Sequence, residues 1–76
     1  MKKEEWEKII GHNIRNDTYL ILERMSCGEE YDEVIEDLEN NREKYKIKSD
    51  TCLVKLKTIQ EYLQKAENIL PKKKTR

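Results

Sequence analysis

The 76-residue chain has no phenylalanine, one proline, two glycines and a single histidine. No apolar run approaches the ~18 residues that a membrane-crossing helix requires. Met1-Lys2-Lys3-Glu4-Glu5 leads into no apolar stretch, so a secretory signal is not expected. Cys27 and Cys52 are too few for a disulfide-rich scaffold and too far apart for a close-spaced zinc motif. Reduced thiols in a cytoplasmic protein, behaving as small apolar side chains, are the expectation. Catalysis has little to draw on: His12 stands alone, Ser26 and Ser49 lie in no nucleophile motif, and no Gly-rich phosphate loop exists. The sequence therefore points away from an enzyme, and no cofactor, metal, membrane or small-molecule substrate is expected.

What the chain does have is charge. Charged residues are 42% of it and hydrophobic residues 36%, for a mean hydropathy of −1.05. So small and polar a domain has a thin core, which a homodimer or a partner complex would extend. The net charge of zero hides a division. Residues 1–43 hold six basic and thirteen acidic residues, a balance of −7; residues 44–76 hold ten and three, a balance of +7. Such asymmetry fits a nucleic-acid surface, a charged protein partner, or two halves that attract each other.

Periodicity divides one small domain into helical segments. Residues 2–9 favour a short N-terminal helical arm (1–10) with Trp6, Ile9 and Ile10 on one face, Trp6 serving as a staple on the core. Ile10, His12 and Ile14 alternate with Gly11, Asn13 and Arg15, the period of a short strand over 11–15 with the first three facing inward. Asp17 is placed to cap a helix over 18–26 that buries Ile21, Leu22 and Met25 and ends at Gly28. A second amphipathic helix over 29–44 turns Tyr31, Val34, Ile35 and Leu38 to the core. Ser49 or Asp50 then caps the longest helix, 51–69, stopped by Pro71 and followed by a basic disordered tail. Its seam of Cys52, Leu56, Ile59, Leu63, Ala66 and Leu70 suits one partner helix.

The stretch from His12 to Leu38 carries a resemblance. Asn13-Ile14-Arg15 comes first, then Tyr19 three residues before Leu22 and nine before Gly28, then Tyr31 three and four before Val34 and Ile35. This resembles the ribbon-helix-helix DNA-binding family, in particular its small VapB-like antitoxins, and Asn13-Ile14-Arg15 is similar to the Asn-Leu-Arg strand of Arc-type repressors. The resemblance covers residues 12–38 only. It implies two chains pairing their strands into a ribbon whose outward Asn13 and Arg15 read bases in the major groove. It also implies that the segment after the DNA-binding unit holds a toxin.

The expected architecture is thus mainly α. One form is a ribbon-helix-helix-like unit followed by a long C-terminal helix; the other is an all-α three- or four-helix bundle. Two functions follow. One is a homodimeric, antitoxin-like DNA-binding regulator, with Asn13 and Arg15 on DNA and Lys55, Leu56, Lys57, Ile59 and Leu63 on a protein partner. The other is a non-enzymatic helical interaction module, an inhibitor or adaptor whose acidic face (Glu29, Glu30, Asp32, Glu33, Glu36, Asp37) mimics nucleic acid.

Overall fold

Lys-Glu-Glu-Trp-Glu-Lys-Ile-Ile combines strong helix formers with apolar residues one turn apart, and it forms α1 (Lys3–Ile10) in a computed structural model that describes residues 2–69. Three more helices follow: α2 (Asn16–Ser26), α3 (Tyr31–Asn40) and α4 (Leu56–Ile69). Glu5 Oε1 accepts the Lys2 N–H at 2.8 Å at the start of α1. At its end Gly11 takes φ 100°, and its N–H bonds back to the Glu7 carbonyl. Trp6 and Ile10 of this N-terminal helix are buried members of the core.

Among the described residues no strand forms, so the all-helical bundle is the architecture observed. The segment expected to be a strand, 11–15, divides instead into the left-handed cap of α1 and an extended connection to α2. Its alternation is only half realised. Ile14 is buried and Gly11, Asn13 and Arg15 face out, but His12 is exposed, its ring centroid 6.1 Å from that of Tyr62 in an edge-on arrangement. The Ile14 N–H, which a strand would donate to a ladder, goes to Glu7 Oε2 at 3.0 Å.

α2 starts two residues earlier than its sequence signal. Arg15 is the N-cap, and Asp17 lies inside the first turn. The Asp17 carboxylate does not cap the helix; it accepts from Arg15 Nε and Nη2 at 3.0 and 3.2 Å. Its negative charge still suits the positive end of the helix. After Ser26 the chain closes with a paired motif: the Gly28 N–H bonds to the Met25 carbonyl and the Glu29 N–H to the Arg24 carbonyl. Gly28 at φ 105° supplies the left-handed residue that this motif needs.

α3 is shorter than the 29–44 expected. Asn40 and Asn41 are weak helix formers, and the Asn41 side chain bonds to the Asp37 carbonyl at 2.9 Å and to Asp37 Oδ1 at 2.8 Å. A turn over 41–46 follows and closes with the same pairing seen at Gly28: Lys46 N–H to the Glu43 carbonyl and Ile47 N–H to the Arg42 carbonyl. The left-handed residue here is Lys46, at φ 59°.

α4 begins at Leu56, not at residue 51, and neither Ser49 nor Asp50 starts a helix. Residues 51–55 are an extended strap whose carbonyls are taken by side chains from α2, α3 and the segments beside them. Arg42 donates to the carbonyls of Lys48 and Thr51, Arg15 to Cys52 at 2.8 Å, and Tyr31 Oη to Val54 at 2.7 Å. Cys52 therefore leaves the expected apolar seam; it and Cys27 are exposed free thiols, not buried apolar residues. Leu70, Pro71 and the basic tail lie outside the described residues.

The core joins Trp6, Ile10 and Ile14 to Ile21 and Leu22 of α2, Val34 and Leu38 of α3, and Ile59 and Ala66 of α4. α1 packs on α4, α3 on α2, and α2 also touches α1 and α4. Each fully buried aliphatic side chain contributes roughly 1.5–3 kcal/mol. Among the described residues no buried side-chain polar atom lacks a hydrogen bond; the Trp6 indole donates to Glu23 Oε2 at 3.0 Å and ties α1 to α2.

The left-handed Lys46 generates a prediction. Cβ strain there costs about 1–2 kcal/mol, and glycine's extra unfolded-state freedom offsets about 0.4–1 kcal/mol of the relief. Lys46→Gly should therefore raise stability by about 0.5–1 kcal/mol, read as a higher urea midpoint at unchanged slope. A lower midpoint would contradict the assignment.

Candidate functional site

Two surfaces contain the residues singled out from sequence. The first is the link from α1 to α2. Asn13 is exposed, and its carbonyl lies 2.9 Å from His12 Nδ1. The Arg15 side chain is 59% exposed but doubly engaged, with Asp17 on one side and the Cys52 carbonyl on the other. The hydrogen bond and the charge of Asp17 hold its guanidinium above the ordinary value. Beside it a shallow cleft of about 300 Å³ is lined by Arg15, Asn16, Asp17, Tyr45, Lys46 and Lys48 among others. Arg15 thus neighbours Lys46 and Lys48, a proximity that the sequence did not reveal, whereas Asn13 does not line this cleft.

The second surface is the start of α4. Lys55, Leu56 and Lys57 are exposed, Leu63 is half-buried, and Ile59 is completely enclosed in the core. Ile59 completes this chain's own interior and is not available to another molecule. Leu56 is 37% exposed, the only large hydrophobic side chain left open among the described residues.

The acidic residues divide into neutralised and free groups. Arg24 bonds Glu29 with Nε and Nη2, the shortest contact being 2.7 Å, and reaches Asp37 Oδ2 with Nη1 at 2.5 Å. Tyr45 Oη donates to the same Asp37 oxygen at 2.8 Å. Arg42 Nε pairs with Glu39 at 2.7 Å. The guanidinium of Arg24 holds Glu29 below the usual carboxylate range, and Arg24 followed by Tyr45 does the same for Asp37. The converse of the last contact raises Tyr45 above the ordinary phenol value. Sequence periodicity gave no sign of this Arg24–Asp37–Tyr45 cluster, because it joins three segments through long side chains.

Asp32, Glu33 and Glu36 have no ion-pair partner among the described residues, and helical spacing places them on the outward face of α3. Every ion pair among the described residues joins two members of the acidic first half: Lys3–Glu7, Arg15–Asp17, Arg24–Glu29, Arg24–Asp37 and Arg42–Glu39. None crosses to the basic second half. The attraction between halves expected within one chain is therefore absent from these pairings, and both charges remain at the surface.

Among the described residues no cluster of three His, Cys, Asp or Glu side chains could hold a metal, and no helix is long and apolar enough to cross a membrane. No protein-family model matches the chain, and comparison with curated proteins and with solved structures finds no match.

The Asp37 cluster sets a pH dependence. A carboxyl depressed in the folded state adds stability above its unfolded pKa, and that contribution disappears as pH falls through the folded value. Between about pH 5 and about pH 3 the wild-type denaturation midpoint should drop, and Asp37→Asn should reduce the size of that drop. An equal drop in both proteins would show that the cluster contributes nothing to acid sensitivity.

Proposed function

We propose that this protein is a non-catalytic helical interaction module that presents the outer face of α3 to a basic partner. The observation that supports this reading is the unneutralised stripe of Asp32, Glu33 and Glu36. Asp32 and Glu36 are four residues apart and Glu33 and Glu36 three, spacings at which like charges destabilise a helix by roughly 0.2–0.5 kcal/mol per pair. The nearby Arg24 and Arg42 neutralise Glu29, Asp37 and Glu39 instead. A cationic partner would relieve the repulsion and would be steered by the field of the acidic half.

A second reading, the antitoxin-like DNA-binding regulator, is favoured by one observation. Extended Asn13–Arg15, helix α2, a glycine turn and helix α3 follow one another in the order of the ribbon-helix-helix family. In that reading Arg15 exchanges Asp17 and the Cys52 carbonyl for a base, and the α4 region holds a toxin. The free stripe on α3 has no task there, which is why the interaction module is preferred.

Fluorescence anisotropy separates the two. A labelled peptide rich in arginine and lysine should bind the full chain at low salt, and Glu33→Lys with Glu36→Lys should weaken it by roughly tenfold or more. Duplex DNA should show no binding in the same buffer. Binding of DNA that is lost with Arg15→Ala, together with indifference of the peptide to the α3 changes, would replace the first reading by the second.

A further inference from the structure

The exposed Leu56 does not lie on a bare surface. It forms one wall of a notch of about 320 Å³ whose other walls include Met25, Gly28 and Tyr31, with Glu30 and Asp32 at the rim. The Schellman-type turn at Gly28 and the first turns of α3 and α4 meet here, and the Tyr31 hydroxyl, bonded to the Val54 carbonyl, ties the start of α3 to the segment that leads into α4. Gly28 leaves space where a Cβ would stand. The patch therefore has an apolar centre and a carboxylate rim on the α3 side.

The residues on either side of Leu56 in the chain carry the opposite charge. Lys55 and Lys57 flank Leu56 in the chain, and both are exposed. Neither forms an ion pair among the described residues, and neither do Glu30 and Asp32. One small area thus combines an apolar knob, a notch, two free cations and two free anions. A two-fold symmetric contact needs a self-complementary patch, in which residue i of one copy meets residue j of the other and the reverse holds as well.

We propose that the occupant of this notch is a second copy of the chain, paired about a two-fold axis near Leu56. Leu56 of each copy enters the notch of the other, and Lys55 and Lys57 of each copy meet Glu30 and Asp32 of the other. The charge complementarity selects this occupant: an acidic partner would be repelled by the rim and a basic one by the lysines. The thin core of a chain this small is extended by the same contact. The inference shares Asp32 with the reading of α3's outer face, but Glu33 and Glu36, through which that reading is tested, do not line the notch, so the two tests fail separately.

Analytical ultracentrifugation of the full chain from about 10 μM to about 1 mM, the span of weak interfaces, tests it. The wild type should pass from the 9.2 kDa chain mass to twice that value as concentration rises. Leu56→Ser, which removes the knob and no charge, should stay at the single-chain mass. So should Lys55→Glu with Lys57→Glu, and Glu30→Lys with Asp32→Lys, because each places like charges opposite one another. An equimolar mixture of the two charge-reversed proteins restores opposite charges at every contact and should double in mass. A wild type that stays at the chain mass throughout, a Leu56→Ser protein that still doubles, or a mixture that stays single while the wild type doubles would each overturn the proposal. Circular dichroism matching the wild type confirms that the variants remain folded.

Discussion

Between residues 48 and 54 the chain forms neither helix nor strand, and four of its carbonyls accept from side-chain donors outside that segment. Arg42, Arg15 and Tyr31 provide them along residues 48–54. Two of the three donors are guanidinium groups, whose bonds to neutral carbonyls are charge-assisted and stronger than amide pairs. The strap carries α4 back across α2 to α1, where Ile59 and Ala66 enter the interior beside Trp6 and Ile10. Lys65 Nζ then reaches the Ile10 carbonyl at 3.3 Å and places a cation at the negative end of α1. Without the strap, the α2–α3 pair would bury too little apolar surface to stand for long.

The same arginines shape the surface. Arg24 and Arg42 neutralise Glu29, Asp37 and Glu39 and leave Asp32, Glu33 and Glu36 without an ion-pair partner among the described residues. Arg15 is turned to Asp17 and the strap, so a residue suited to reading bases is here part of the internal scaffold. The zero net charge is a sum over two halves of opposite sign, and no ion pair among the described residues joins one to the other.

Much of the fold was legible from local pattern. The periodic apolar residues of α1, α2 and α3 identify Trp6, Ile10, Ile21, Leu22, Val34 and Leu38 as core, and Gly28 marks the turn between α2 and α3. What escaped local pattern depends on side chains reaching across the chain. Cys52 has a helical apolar spacing with Leu56 onward, yet the carbonyls of Thr51, Cys52 and Val54 accept from Arg42, Arg15 and Tyr31 instead of from helix amides. The strand over 11–15 failed because Gly11 is needed as a cap and Glu7 takes the Ile14 N–H. Asp17 failed as a cap because Arg15, two residues before it, competes with the backbone for its oxygens. Of the candidate site, Lys55 and Lys57 were legible as charged positions beside Leu56, whereas Leu56 itself read as part of the apolar seam and the notch it lines requires three separate segments to meet.

Hydrogen exchange on Arg42→Ala addresses the strap most directly. If the strap holds α4 in place, amides of α4 and α1 should lose protection by about tenfold or more, the equivalent of about one charge-assisted hydrogen bond, while α2 and α3 lose less. Unchanged protection in α4, or an equal loss across all four helices, would contradict it.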